Sequence, residues 1–248
     1  MRRLCWFLAV VLFTTGCDYI EGLSGEGQSV TRDFEADAFE KIILNTSVRL
    51  VLTNDTSVKV VAEGPDFALS RLVVSQENRE LIVESDGIWG FRKEQMPVLK
   101  VSSPDLEHIR SNFASEITNT DTLNIDKLRI VISGRGSFTE CDLTVDGESL
   151  RLGAYGSNVG DHRFRGKVDV LNIVSLGLTS VDAGDLKTQR TIYHQGSVNP
   201  GYVHASGTLK VKMTSSGNVY YRGNPDIEIE NGEPLYEVDF GEVIEYSD

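Results

Sequence analysis

The sequence predicts an all-β chain wound as a β-solenoid, parallel β-helix-like, with rungs of about 20–21 residues. Three observations carry the prediction. Apolar and polar residues alternate along short runs from residue 34 onward. Five glycines recur at near-equal intervals, and a column of leucines keeps step with them.

The alternation is clearest in the first half. Val48, Leu50 and Leu52 share one face, with Arg49 and Val51 on the other. Val58 and Val60 follow the turn residues Thr53-Asn54-Asp55, then come Leu72 and Val74, then Leu81 and Val83. Runs of Val, Ile and Leu at period two, separated by Asn, Asp, Gly and Ser, read as strands joined by turns. Beyond the first 16 residues no helical stripe is sustained over three turns, so helix is expected to be nearly absent.

The second half adds the repeat. Gly136, Gly156, Gly177, Gly196 and Gly217 lie 20, 21, 19 and 21 residues apart, each in a small polar turn. Leu128, Leu150, Leu171 and Leu209 form the accompanying column, with its missing member near Ile192 and Leu106 as its backward projection. One coil cannot bury its own inward side chains, so similar coils must stack, each leucine upon the next. The rise per coil would be about 4.8 Å, and five or six coils would extend roughly 25–30 Å. Glycine at a corner relieves the backbone where the chain turns sharply. Ser137, Ser157 and Ser197 each follow a corner glycine and suit hydrogen bonding from turn to turn. A β-sandwich with evenly spaced hairpins is the competing architecture.

Four segments follow from this reading. Residues 1–16 form a secretory signal: Arg2 and Arg3 precede the apolar run Leu4–Phe13, which is too short to span a bilayer. The run ends L-F-T-T-G-C, and Gly16-Cys17 resembles a bacterial lipobox, although Thr14 stands where an aliphatic residue is usual. Cleavage before Cys17 would let its thiol carry a diacylglycerol, each buried CH2 adding about 0.8 kcal/mol of membrane affinity. An ordinary signal cut near a cysteine is the plainer alternative. Residues 17–29 then comprise the lipidated cysteine and a Gly, Ser and acid-rich tether. Residues 30–230 form the single solenoid-like domain, and 231–248 an acidic tail or cap whose charges discourage end-to-end growth.

Loss of Arg2 and Arg3 with the leader takes the formal charge from −13 to −15. That balance opposes nucleic-acid binding and broad attraction to anionic lipid. Cys5 leaves with the signal and Cys17 is lipidated, so Cys141 stands alone and no internal disulfide is expected. Within a strand it reads as a small buried hydrophobe, with no nearby histidine to activate it.

No metal, cofactor or catalytic motif emerges. His108, His162, His194 and His204 lack metal-ligand spacing, and they read as solvated or edge residues. His194 and His204 flank the Gly196 corner and could share an exposed face. Asp142 with Asp146, and Asp182 with Asp185, are carboxylate pairs of the kind a polysaccharide-cleaving β-helix uses, but such pairs are expected in so acidic a chain, and the repeat turns carry Ser, Asn and Gly in place of a stacked column of acids. Tyr155, Tyr193, Tyr202, Tyr220 and Tyr221 gather near the corners and are the candidate stacking surface for sugar or peptide.

Three stretches carry a family resemblance: R-D-F-E-A-D-A-F-E-K-I-I-L-N at 32–45, V-K-V-V-A-E-G-P-D at 58–66 and S-S-G-N-V-Y-Y-R-G-N-P at 215–225. With the corner glycines they resemble the auto-transporter adhesin head GIN domain family of bacterial exported proteins, a domain of unknown function. The resemblance implies a solenoid-like envelope protein, often lipid-anchored, with adhesion as its suggested role and no catalytic residue to carry over. The expected function is a non-enzymatic, membrane-anchored binding or structural module in the cell envelope of a diderm bacterium, at its inner or outer membrane. Its partner would be a glycan or an envelope protein. A polysaccharide-active enzyme with paired carboxylates is the alternative. A scaffold for another protein, with a flat apolar patch, is a third reading.

Overall fold

Parallel pairing dominates the computed structural model, which describes residues 28–86, 96–134, 138–234 and 237–247. The signal, Cys17, most of the tether, Gly136, Ser137, Leu235 and Tyr236 lie outside the described residues. The chain opens with β1 (Ser29–Asp33), β2 (Lys41–Leu44), β3 (Arg49–Leu52) and β4 (Lys59–Pro65). A single-turn helix α1 (Asp66–Leu69) leads to β5 (Leu72–Glu77) and β6 (Glu80–Ser85). Then come β7 (Val98–Ser102), β8 (His108–Ser111), β9 (Glu116–Asn119) and β10 (Leu123–Ile132). The long strands are β11 (Glu140–Ala154), β12 (Val159–Ser197) and β13 (Gly201–Met213). The chain finishes with β14 (Val219–Arg222), β15 (Asp226–Asn231) and β16 (Val243–Glu245).

The strands stack into two faces that enclose one core. On the first face, Ile42, Ile109, Ile130, Leu152 and Ile173 stand in direct register, and Tyr193, Val211 and Ile229 continue the series. On the second, Leu99, Leu50, Ile117, Cys141 and His162 are in register, followed by Val181, Gly201, Val219 and Val243. Each fully buried aliphatic in such a column contributes about 1.5–3 kcal/mol. Among the described residues Cys141 is a buried free thiol.

The leucine column is real. Leu128 lies against Leu150, Leu150 against Leu171, and Leu209 continues the pattern; all are 2 % exposed or less. The solenoid is therefore the architecture, and the sandwich alternative falls. Two positions shift by one residue. Leu209 faces Thr191, leaving Ile192 40 % exposed, and Arg129 faces His108, so Leu106 sits just off the column. Thr191 is tolerated inside because Thr188 Oγ1 lies 2.7 Å from its hydroxyl.

The glycine corners divide by mechanism. Gly156 and Gly177 adopt positive φ, +79° and +72°. Gly196 and Gly217 instead make room: a Cβ on Gly217 would lie 2.4 Å from the Asn199 carbonyl oxygen. Corner bonding runs between rungs, as Ser197 Oγ donates to the Gly177 carbonyl at 3.0 Å and Asn199 Nδ2 to the Leu178 carbonyl at 2.8 Å.

At the opening end, antiparallel pairs close the stack: β1 with β4, β4 with β7, and β5 with β6. At the other end β15 lies on β13 and β16 on β14, both parallel. Part of the acidic C-terminal segment is thus a final rung.

Candidate functional site: the tyrosine-bearing second face

Period-two alternation on the second face sends Cys141, His162, Val181 and Gly201 inward, and their neighbours outward. Asp142 faces Arg163, and Tyr202 lies between Asp182 and Tyr220 in register. The Tyr202 and Tyr220 rings stack with centroids 5.0 Å apart and planes 14° apart. Tyr246, from the segment after β16, meets both edge-on, at 5.6 and 6.4 Å. Its approach needs Gly184, where a Cβ would stand 2.4 Å from the Tyr246 hydroxyl. Asn218 Nδ2 donates to the Tyr220 hydroxyl at 3.2 Å, and Asn218 Oδ1 accepts from the Glu242 backbone N–H. These bonds tie the aromatic cluster to the last rung.

Beside Tyr202 runs a groove of about 510 Å³ across four rungs, bordered by Glu140, Asp142, Asp161, Arg163, Ser180, Asp182 and Asn199. Its charges are engaged with one another. Arg163 Nε lies 3.4 Å from Asp182, Arg165 lies 2.6 Å from Asp142, and Ser180 Oγ donates to Asp161. Asp185 is paired with Arg222 at 2.7 Å. Three of the four carboxylates read as possible catalytic pairs, Asp142, Asp182 and Asp185, are therefore salt-bridge partners between rungs, an arrangement that stiffens the face and offers polar atoms to a ligand. Among the described residues no group of three or more His, Cys, Asp or Glu is placed to hold a metal ion. Nor is any helix long and apolar enough to cross a membrane.

The five tyrosines read as one surface do not form one. Tyr202 and Tyr220 come together, half-buried. Tyr193 is 1 % exposed, an inward residue of the first face whose ring reaches towards Gly201 on the second; a Cβ there would lie 2.2 Å from its hydroxyl. Tyr221 faces Val203 and packs partly against the core. Tyr155, 39 % exposed, folds over Gly153 at the corner. Tyr246, which completes the cluster, follows no repeat interval and was not legible from periodicity.

The histidines also depart from expectation. His162 is 2 % exposed, one rung from Cys141, so a histidine does neighbour the thiol. Burial pushes the thiol well above its ordinary range, with Asp142 and Glu140 adding to the effect, which leaves it without thiolate character. His194 and His204 are separated: His194 Nε2 lies 2.9 Å from Thr214 Oγ1, while His204 pairs with Arg222 on the opposite face.

Fold and surface together define a parallel β-solenoid with an aromatic, charge-laced outer face. Residues 38–225 match the family described as "Putative auto-transporter adhesin, head GIN domain", and the chain belongs to that family. No curated protein matches the sequence. Among solved structures, a Bacteroides fragilis protein titled a "putative adhesin" is similar at a TM-score of 0.76 and 19 % identity, covering 90 % of this chain and 99 % of its own. Two further structures with that title are similar as well. One from Parabacteroides distasonis has a TM-score of 0.65 at 16 % identity, and one from Parabacteroides merdae 0.63 at 14 %; each covers 90 % of this chain and 98 % of its own. At these identities the likeness establishes the shared fold.

Proposed function

We propose that the chain is a non-catalytic binding protein of the cell envelope, anchored by lipid on Cys17 and binding a glycan through the second face. The observation that carries the reading is the Tyr202–Tyr220 stack, edged by Tyr246 and set beside a polar groove. Aromatic rings beside fixed carboxylates, amides and a guanidinium offer the apolar and hydrogen-bonding surfaces that a saccharide presents in return. Family membership supports a binding role, and the engaged carboxylates of the groove favour binding over hydrolysis. The Gly16-Cys17 sequence supports the anchor.

A glycan array probed with the full chain tests the binding half, with Tyr202→Ala/Tyr220→Ala as comparison. Retained folding with at least about a tenfold loss of affinity is expected, since aromatic anchors commonly contribute 1 kcal/mol or more. Undiminished binding would remove the tyrosines from the site, and capture of an envelope protein in place of any glycan would replace the ligand class. For the anchor, a labelled fatty acid should enter the wild-type chain and not Cys17→Ala, which should leave the membrane fraction.

A further inference from the structure

The core columns of the first face end at β15 with their last members uncovered. Leu209 and Val211 are 0 % and 2 % exposed because Ile227 and Ile229 lie over them; those two are 39 % and 57 % exposed. All six residues of β15 are exposed, and among the described strands β15 pairs only with β13. The Gly232 N–H donates to the Met213 carbonyl, so by strand alternation the amides of Ile227, Ile229 and Asn231 point to the open edge. Charge alternates across the last two rungs: Lys210 lies 2.6 Å from Glu228, and Lys212 3.4 Å from Glu230.

We propose that β15 is a docking edge for a strand of another protein, one that alternates apolar with basic side chains and continues the parallel ladder. Its apolar residues would cover Ile227 and Ile229, and its Lys or Arg would restore the alternation beyond Glu228 and Glu230. Neither the β15 nor the β5 edge of a second copy of this chain supplies that chemistry. Two β15 edges would set Asp226, Glu228 and Glu230 against themselves. The β5 edge at the other end of the solenoid would bring Val73, Ser75 and Glu77, with no cation among them. The edge is guarded against self-association while staying open to a basic strand. It belongs to the face opposite the tyrosines, so glycan binding and strand docking succeed or fail separately.

The test uses the full chain and a short synthetic peptide alternating Val with Lys, beside a counterpart alternating Val with Glu. Hydrogen exchange should slow at the Ile227, Ile229 and Asn231 amides with the Lys peptide only. Glu228→Gln/Glu230→Gln should weaken binding roughly tenfold. Ile229→Thr, at an exposed position that leaves folding intact, should weaken it as well, and Glu228→Lys/Glu230→Lys should transfer preference to the Glu peptide. Three results would overturn the proposal: no protection of β15 at millimolar peptide, equal binding of both peptides, or dimerisation of the unmodified chain that Ile229→Thr abolishes.

Discussion

Cys141 and His162 occupy the same inward position on successive rungs, each 2 % exposed, in the apolar column of the second face. His162 Nδ1 has no hydrogen-bond partner there. Burial pulls the imidazole down to about 4, against a smaller upward pull from the Asp161 carboxylate.

Acid lability follows. Unfolded, the ring takes up a proton below its ordinary value of 6.5; folded, it stays neutral until about 4. Stability is therefore complete above 6.5 and lost as pH falls from there to about 4, by an amount of about 3 kcal/mol. Burial lowers His108 and His194 too, with nearby lysines adding to the effect, and both act in the same direction. His162→Leu should remove most of the dependence in that window. Urea midpoints of both chains at several pH values measure it, and parallel curves would show that the ring is not the cause.

Cys141 should behave as an apolar side chain. A thiol reagent should modify it only at the rate of unfolding, giving no reaction in buffer and full reaction in denaturant. Rapid labelling of the native chain at this residue would contradict its burial in the column.

Tyr193 and Tyr202 should separate stability from binding. Tyr193→Ala empties the space that Gly201 leaves between the faces and should cost about 3–5 kcal/mol, as for other buried aromatics. Tyr202→Ala removes half of an outward stack and should cost no more than about 1.5 kcal/mol. Thermal melts of the two variants check the contrast.

A second set of glycines should be as intolerant as the corners. At Gly166, with φ of +105°, a Cβ would lie 2.1 Å from the Val145 carbonyl oxygen. The same contact recurs at Gly147 with Ile125 and at Gly223 with Ala205, where the chain bends between the faces. Gly166→Ala must open the ladder to the preceding rung and should cost at least about 2 kcal/mol. A melt within a degree of wild type would show that the rungs can part freely.

What was legible in the sequence was whatever repeats at the length of a rung. The leucines and corner glycines do, because each coil needs an inward aliphatic at one place and a residue without a side chain at its corner, whether for a positive φ or for room. Thr191 escaped because a short rung moves the inward position by one and a hydroxyl pair fills it. Tyr193 was misplaced because its space is made by Gly201 on the other face, a relationship without local pattern. His162 holds an apolar position with a polar residue, which alternation reads as outward. Gly147, Gly166 and Gly223 lie within or just after strands, and the repeat between the last two is broken. Tyr246 reaches Tyr202 only through the close approach at Gly184.

Substitution of Asn158 by an acid should give the opposite pH response to His162. It is 2 % exposed, and its Nδ2 lies 3.3, 3.2 and 3.1 Å from the carbonyls of Ile132, Ser133 and Tyr155. Asn158→Ala would leave those acceptors short of a donor and should cost about 2–3 kcal/mol. Asn158→Asp is worse at neutral pH, because a buried carboxylate would face three carbonyl oxygens. Burial and that repulsion would hold its folded pKa above its unfolded value, so the protonated acid, able to donate once more, is favoured in the fold. The variant should gain stability relative to wild type as pH falls through the raised folded pKa towards the unfolded one. Denaturation midpoints of wild type and Asn158→Asp between pH 7 and pH 4 read the difference directly, and a gap that stays constant would mean that the donor at this corner is dispensable.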